Sequence, residues 1–147
     1  MTTIAIASDH AGFDLKEALK KIPPPPSYEW EDLGPLTAAS CDYPDMADRM
    51  AEALLTKGFT RGVLICGSGI GMSMAANRHA HIRAALCQHG LMARLARQHN
   101  DANVLVLGSR LIGIQVALEC VEVFLNTSFE GERHEARLQK LSNAVKR

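Results

Sequence analysis

Val63-Leu64-Ile65-Cys66-Gly67-Ser68-Gly69-Ile70-Gly71 is an apolar run that ends in a cysteine and passes at once into a glycine-rich turn. The apolar part reads as a buried strand, and the alternating glycines as a turn that opens a helix. Strand, tight turn and helix in direct succession are the repeating half of a parallel α/β sheet. The run also sets a thiol at the carboxyl end of a strand, beside backbone amides suited to an anion. Taken by itself, the same run reads equally as a tight turn with no function.

The pattern on either side repeats the strand–helix alternation. Thr3–Ser8 predicts a first strand, and a helix follows with Leu15, Ala18, Leu19 and Ile22 at positions i, i+3, i+4 and i+7. The prolines at Pro23–Pro26 stop that helix, since proline lacks an amide proton and restricts the residue before it. Tyr28–Leu33 predicts a second strand, Gly62–Cys66 a third, Ile82–Cys87 a fourth and Asn103–Gly108 a fifth. Asp42-Tyr43-Pro44 predicts an N-cap with proline in the first turn, ahead of a helix carrying Ala47, Met50, Ala51 and Leu54. Another helix carries Ile114, Ala117, Leu118 and Val121. The last, expected over about 132–146, has Leu138, Leu141 and Val145 on its apolar stripe. The expectation is one domain over residues 1–147: a three-layer, Rossmann-like, doubly wound sheet of five parallel strands with helices on both faces. In such a sheet ligands bind beyond the carboxyl ends of the strands, where strand order reverses. Ser8-Asp9-His10 after strand one and Cys66-Gly67-Ser68 after strand three should flank that point.

Composition narrows the function classes. The apolar fraction is 47% and the charged fraction 22%, ordinary for a globular chain. With no apolar run of the length a membrane span needs and no signal-peptide pattern at Met1-Thr2-Thr3-Ile4, the expected location is the cytoplasm, with no membrane partner. Cys41, Cys66, Cys87 and Cys120 form no C-x-x-C pair, so free thiols are expected. Net charge is zero, which argues against a nucleic-acid partner. Its distribution is uneven: no Asp or Glu lies between Glu52 and Asp101, while six Lys/Arg and four His do. A pocket built from that stretch is suited to a small anion.

Rival motifs fail on spacing. A dinucleotide fingerprint would need a glycine where Met72 stands, and a cysteine phosphatase an arginine at that same position. No Gly-Lys-Ser/Thr follows for a P-loop, and Cys66 replaces the first glycine of a hydrolase elbow. Asp9 reads as either a helix cap or a site residue, with His10 beside it. His99-Asn100-Asp101 packs polar groups just ahead of the fifth strand. Arg133, His134 and Arg137, at i, i+1 and i+4, put cations on one helix face, where either a phosphate or the neighbouring Glu130, Glu132 and Glu135 would balance them. Arg110 follows strand five on the ligand side. His79 and His81 have no carboxylate or cysteine near them in sequence, so no metal site is expected there.

Taken together, Ser8-Asp9-His10-Ala11-Gly12, Asp42-Tyr43-Pro44, Cys66-Gly67-Ser68-Gly69-Ile70-Gly71, Arg97-Gln98-His99-Asn100-Asp101, Gly108-Ser109-Arg110 and Glu130-Gly131-x-Arg133-His134-x-x-Arg137 resemble the type B ribose-5-phosphate isomerases and the related galactose-6-phosphate isomerase subunits. The segments are collinear and span nearly the whole chain. The resemblance implies an aldose–ketose isomerisation of ribose 5-phosphate and ribulose 5-phosphate, a step of the pentose phosphate pathway, without cofactor or metal. It implies a homodimer or dimer of dimers whose sites are shared between subunits, the C-terminal helix serving the partner's site. Cys66 would be the base moving a proton between C1 and C2 through an enediolate. Ser68 and the amides of Gly67, Gly69, Ile70 and Gly71 would hold the oxyanion. His99 would protonate the ring oxygen to open the sugar. Asp9, His10, Tyr43 and Asn100 would contact the sugar, and Arg110, Arg133, Arg137 and His134 would surround the phosphate.

Two departures bear on this. Many relatives have threonine in place of Ser68, which keeps the hydroxyl. Another branch uses a glutamate as base a few residues past the loop, where this chain has Ala75, leaving Cys66. A hexose 6-phosphate, such as allose or galactose 6-phosphate, stays open as the substrate. So do a non-catalytic sugar-phosphate-binding subunit and a phosphocysteine carrier. Retention of Cys66, His99 and the arginines together favours an enzyme.

Overall fold

Strand and helix alternate along the chain in a computed structural model that describes residues 1–143. The order is β1 (Thr2–Ser8), α1 (Phe13–Lys20), β2 (Tyr28–Gly34), α2 (Tyr43–Thr56), β3 (Arg61–Cys66), α3 (Ile70–Ala76), β4 (Ala84–Leu86), α4 (Gly90–Asn100), β5 (Val104–Gly108) and α5 (Ile114–Asn126). A 3-10 turn, Glu132–His134, then leads into α6 (Glu135–Ser142). All the strand pairs are parallel, in the order β2-β1-β3-β5-β4. The sheet is therefore the expected doubly wound one. Order reverses between β1 and β3, where Ser8 pairs with Ile65.

Side chains alternate across the sheet as a pleat requires. Ile4, Ile6, Val63, Ile65, Leu105 and Leu107 face a core completed by Leu19 of α1, Ala93 and Ala96 of α4, and Ala117, Cys120 and Phe124 of α5. Ala5, Ala7, Leu64, Cys66, Val104 and Val106 face the opposite core, completed by Met46, Met50 and Leu54 of α2 and by Met72 and Ala75 of α3. Cys66 is thus the last inward position of β3 on the α2/α3 side. No helix of the described residues is long and apolar enough to cross a membrane.

Three boundaries differ from the sequence expectation. Helix α1 stops at Lys20, so Ile22 falls outside it and is 39% exposed. Strand β4 keeps only Ala84–Leu86 of the expected 82–87. Ahead of it the Arg83 amide donates to the Asn103 side-chain oxygen at 2.8 Å, and Asn103 Nδ2 donates to the His81 carbonyl at 2.8 Å. These side-chain bonds stand beside the backbone bond from Asn103 N to Arg83 O at 3.0 Å, and the regular ladder begins only at Ala84. The last helix is not continuous from Glu132, because the 3-10 turn intervenes and α6 ends at Ser142. Val145 and the rest of that expected helix beyond residue 143 lie outside the described residues.

Candidate functional site

Three loops at the carboxyl edge of the sheet are tied together by backbone bonds. The Asp9 amide donates to Ile65 O at 3.1 Å, Ser109 N to Cys66 O at 2.9 Å and Arg110 N to Gly67 O at 2.9 Å. The Ser109 hydroxyl donates to Ala11 O at 2.8 Å. Gly69 is the helix N-cap, with φ +77°, a left-handed conformation that costs an L-side chain strain. A Cβ there would also strike Leu86 and crowd the backbone of Leu107 and Gly108. Only glycine lets the turn lie this close to β5.

That turn shapes the surroundings of Cys66. The thiol is 4% exposed, and its Sγ accepts the Gly69 amide at 3.2 Å. The Ile70 amide donates to Ser68 Oγ at 3.2 Å, leaving the hydroxyl proton of Ser68 to point elsewhere. Two of the five loop amides are therefore engaged inside the loop. The guanidinium of Arg110 lies against Gly67, and the ring of Tyr43 against Gly71. Asp9 is buried, its Oδ1 accepting the Gly12 amide at 3.0 Å. It caps the turn leading into α1, while Gly12 occupies the N-cap position itself. His10 is exposed, with Nδ1 3.1 Å from the carbonyl oxygen and 3.3 Å from the amide nitrogen of Cys41, so its tautomer decides which bond forms. Burial, and then the Asp9 charge, push the Cys41 thiol up. Burial pushes Cys87 to about 12 and Cys120 to about 11, which fits both as inert core thiols.

A second group gathers at the amino edge of the sheet. Helix α4 runs back from the carboxyl end of β4, so its last residues, His99 and Asn100, arrive where β5 begins. His99 stacks on His134, ring centroids 4.5 Å apart and 19° from parallel. The Glu130 amide donates to Gln98 O at 3.1 Å, and Glu130 Oε2 lies 3.6 Å from His134 Nε2. His134 is 6% exposed, and its Nε2 has no hydrogen-bond partner among the described residues. Burial, then the Arg133 and His99 charges, hold this imidazole below its ordinary range against the pull of Glu130. Arg133 and Arg137 are both exposed, Arg133 with Nη2 3.9 Å from Glu130 Oε2. The expected shared face is thus divided: the 3-10 turn sends His134 inward and Arg133 outward.

The fold therefore brings Asp9, His10, Tyr43, Cys66–Gly71 and Arg110 to one edge, and His99, Asn100, Arg133, His134 and Arg137 to the region of the other. Strand β5 spans the gap: Gly108 pairs with Cys66 at one end, and Val104 starts the strand at the other. Four strand steps of about 3.3 Å make that at least ~13 Å. Arg97 had no role in the sequence analysis, and Glu130 entered it only as a balancing charge for the neighbouring cations. Arg97, 2% exposed, donates to Thr127 O at 3.1 Å, Ala102 O at 2.6 Å and Asp101 Oδ1 at 2.8 Å, fixing the end of α4 that carries His99. Glu130 supplies a carboxylate to the His99–His134 stack; its place in the Glu130-Gly131-x-Arg133-His134 segment was the available signal. His79, unaccompanied in sequence, has its Nε2 2.7 Å from Asp48 Oδ1 in space. His99, Glu130 and His134 are a cluster whose ligand atoms all lie within 4.8 Å of one another. A groove of about 950 Å³ lies elsewhere, lined by Pro23–Pro26, Trp30 and one side of α5.

A family model described as Ribose/Galactose Isomerase matches residues 4–141. The ribose-5-phosphate isomerase B of Escherichia coli is 39% identical over 142 residues, covering 97% of this chain and 95% of that one. The crystal structure of a ribose 5-phosphate isomerase from Thermotoga maritima is 49% identical, with a TM-score of 0.88 over 96% of this chain and 97% of that one. The type B ribose 5-phosphate isomerase of Trypanosoma brucei is 43% identical, with a TM-score of 0.92 over 97% and 98% of the two chains.

Proposed function

This chain belongs to the ribose/galactose isomerase family, and on that footing we propose that it interconverts ribose 5-phosphate and ribulose 5-phosphate with Cys66 as the base. The coarser statement, a sugar-phosphate isomerase, follows from membership and from relatives named ribose-5-phosphate isomerase B. The finer reading rests above all on one observation: a buried thiol whose Sγ accepts an amide N–H, at the reversal point of the sheet.

On this reading the Cys66 thiolate takes the proton from C2 of the open-chain aldose; the C2–H electron pair forms the C1–C2 double bond as the C1=O pair passes to O1, giving the enediolate. The thiol returns that proton to C1 while the O2 proton passes to O1, so that C2 becomes the carbonyl and C1 the hydroxymethyl group of the ketose. The Gly69 N–H bond fixes the position of Sγ at the mouth of the loop. With the Gly69 and Ile70 amides engaged, the oxyanion falls to the Ser68 hydroxyl and the amides of Gly67, Ser68 and Gly71. Asp9, His10 and Tyr43 hold the sugar. His99 and Asn100, with Arg133, His134 and Arg137, are supplied by the partner subunit and complete the site around ring oxygen and phosphate, Arg110 joining them from the thiol side. The distance between the two edges supports a homodimer, or a dimer of dimers, with shared sites and with the segment around 132–142 serving the partner.

The test is turnover of ribose 5-phosphate in chelator-treated buffer, followed by proton NMR in D2O beside a panel of hexose 6-phosphates. Isomerisation without added metal is expected, together with a fall of roughly 10²–10⁴-fold in kcat for Cys66→Ala. Full turnover by that variant, or an absolute need for a divalent ion, would falsify the mechanism. A hexose 6-phosphate turned over faster than ribose 5-phosphate would reassign the substrate.

A further inference from the structure

We propose that His99, Glu130 and His134 form a zinc-binding site, and that zinc bound there shuts off the isomerase by capturing His99. The inhibitory half rests on the function proposed above; the binding half does not.

Zinc takes imidazole nitrogen and carboxylate oxygen in a tetrahedral set, often as two histidines and a glutamate with a fourth position open. Those three side chains are here, drawn from the end of α4, the following loop and the 3-10 turn. An independent observation points to a ligand: His134 Nε2 is buried without a hydrogen-bond partner among the described residues, beside the carboxylate that would complete the pair. A buried polar nitrogen left unbonded carries a cost that a ligand would relieve.

Geometry sets what binding requires. Zinc–nitrogen bonds of about 2.0–2.1 Å put tetrahedral ligand atoms about 3.3 Å apart. The three atoms now lie within 4.8 Å of one another, so they must close by up to about 1.5 Å. The imidazoles must also leave their stack, because a metal lies in the plane of each ring it binds. His99 is only half-buried and ends its helix, so it has room to turn. Arg133 competes for Glu130, but its side chain is 66% exposed and can swing into water. Two imidazoles favour zinc over magnesium, which prefers oxygen ligands. Zinc on the His99 nitrogen that would serve the ring oxygen takes up its lone pair, and that nitrogen then carries no proton to the sugar.

Chelator-stripped protein is titrated with zinc chloride by calorimetry and, in parallel, assayed for isomerase activity. One saturable zinc per chain is expected in the wild type and in Cys66→Ala, with no saturable magnesium. Glu130→Gln, read by calorimetry, should lower the zinc affinity at least about 10–100-fold, while inhibition itself is read on the wild type, whose turnover should fall as zinc saturates the site. His134→Asn is the second variant should Glu130→Gln not fold, read by calorimetry alone. No saturable binding, binding unchanged in these variants, or binding abolished by Cys66→Ala would overturn the site. Were the wild type inactive as an isomerase, calorimetry would still decide the site and only the inhibitory half would fall.

Discussion

Two inactive variants should restore each other. The chain Cys66→Ala lacks the proposed base, and His99→Ala the proposed ring-opening acid. Within one chain these residues are separated by at least the ~13 Å length of β5, yet each must reach atoms of one furanose to within about 2.6–3.2 Å. They can serve one sugar only if they come from different copies. In a two-fold pair, a chain of each kind then forms one site with both native residues and one site with neither. Random pairing at equal expression makes half of all dimers mixed, so roughly one quarter of the sites, and about 25% of wild-type activity, return. The assay is co-expression with two different affinity tags, followed by turnover of ribose 5-phosphate by the doubly purified mixed dimer. That mixed species should show about half of wild-type activity per dimer. If it stays at the floor set by the single variants, the shared-site reasoning is wrong and the residues must act within one chain.

Other outcomes follow from the packing of the same chain. Gly69→Ala places a side chain at φ +77° against Leu86, so about 2 kcal/mol, or ~4–8 °C in Tm, should be lost together with activity, whereas Gly113→Ala, with nothing within 4 Å, should change neither. Lys16 is fully buried, with Nζ 2.7 Å from both Asp32 Oδ2 and Pro35 O; Lys16→Met should cost about 3 kcal/mol in urea unfolding, against less than ~1 kcal/mol for Lys57→Met in the exposed Lys57–Glu31 pair. Burial opposes ionisation of Asp32, but the Lys16, Lys20 and Gly34 bonds outweigh it and hold the carboxyl below its ordinary 3.8. The unfolded chain then binds that proton more readily than the folded one. The contribution is therefore present above about pH 4 and lost as pH falls through the folded value, and Asp32→Asn should flatten the acid limb of a stability–pH curve.

The fold was legible because β1, β3 and β5 are built on apolar runs, and because strand-like and helical segments alternate along the chain as a parallel sheet requires. The Cys66 loop was legible for the same local reason: its glycines, its thiol and Ser68 lie within a few residues. What escaped were the properties set by contacts distant in sequence. Ile22 fits the helical period, yet α1 ends before it and leaves it to line the groove beside the prolines. Ile82 and Arg83 look like strand, but the Ile82 amide turns back to His79 O and the Arg83 amide bonds the side chain of Asn103, twenty residues on. Arg133, His134 and Arg137 share a face on a helical wheel, and a single 3-10 turn separates them. His79 finds its carboxylate only in space.

The division of the site residues between two edges of the sheet follows from helix direction. A residue directly after a strand of a parallel sheet stands at the carboxyl edge, while one at the end of the following helix stands at the amino edge. Cys66 and Arg110 belong to the first kind, and His99 and Asn100 to the second. A sequence motif carries no mark of this difference, so residues of one proposed mechanism read as one site although a single chain cannot assemble them. Any chemistry that needs both kinds therefore needs two copies, and the partner must turn its amino edge toward this chain's carboxyl edge. A two-fold axis meets that demand at both sites at once, since the partner's thiol loop then faces this chain's His99. Arg97, buried far from Cys66, takes on a role in this geometry: by fixing the end of α4 it sets the position of a group that acts on the other subunit's substrate. Loss of Arg97 should therefore impair the site containing the partner's Cys66 and spare the site built on its own, which the mixed-dimer assay separates when Arg97→Met replaces His99→Ala.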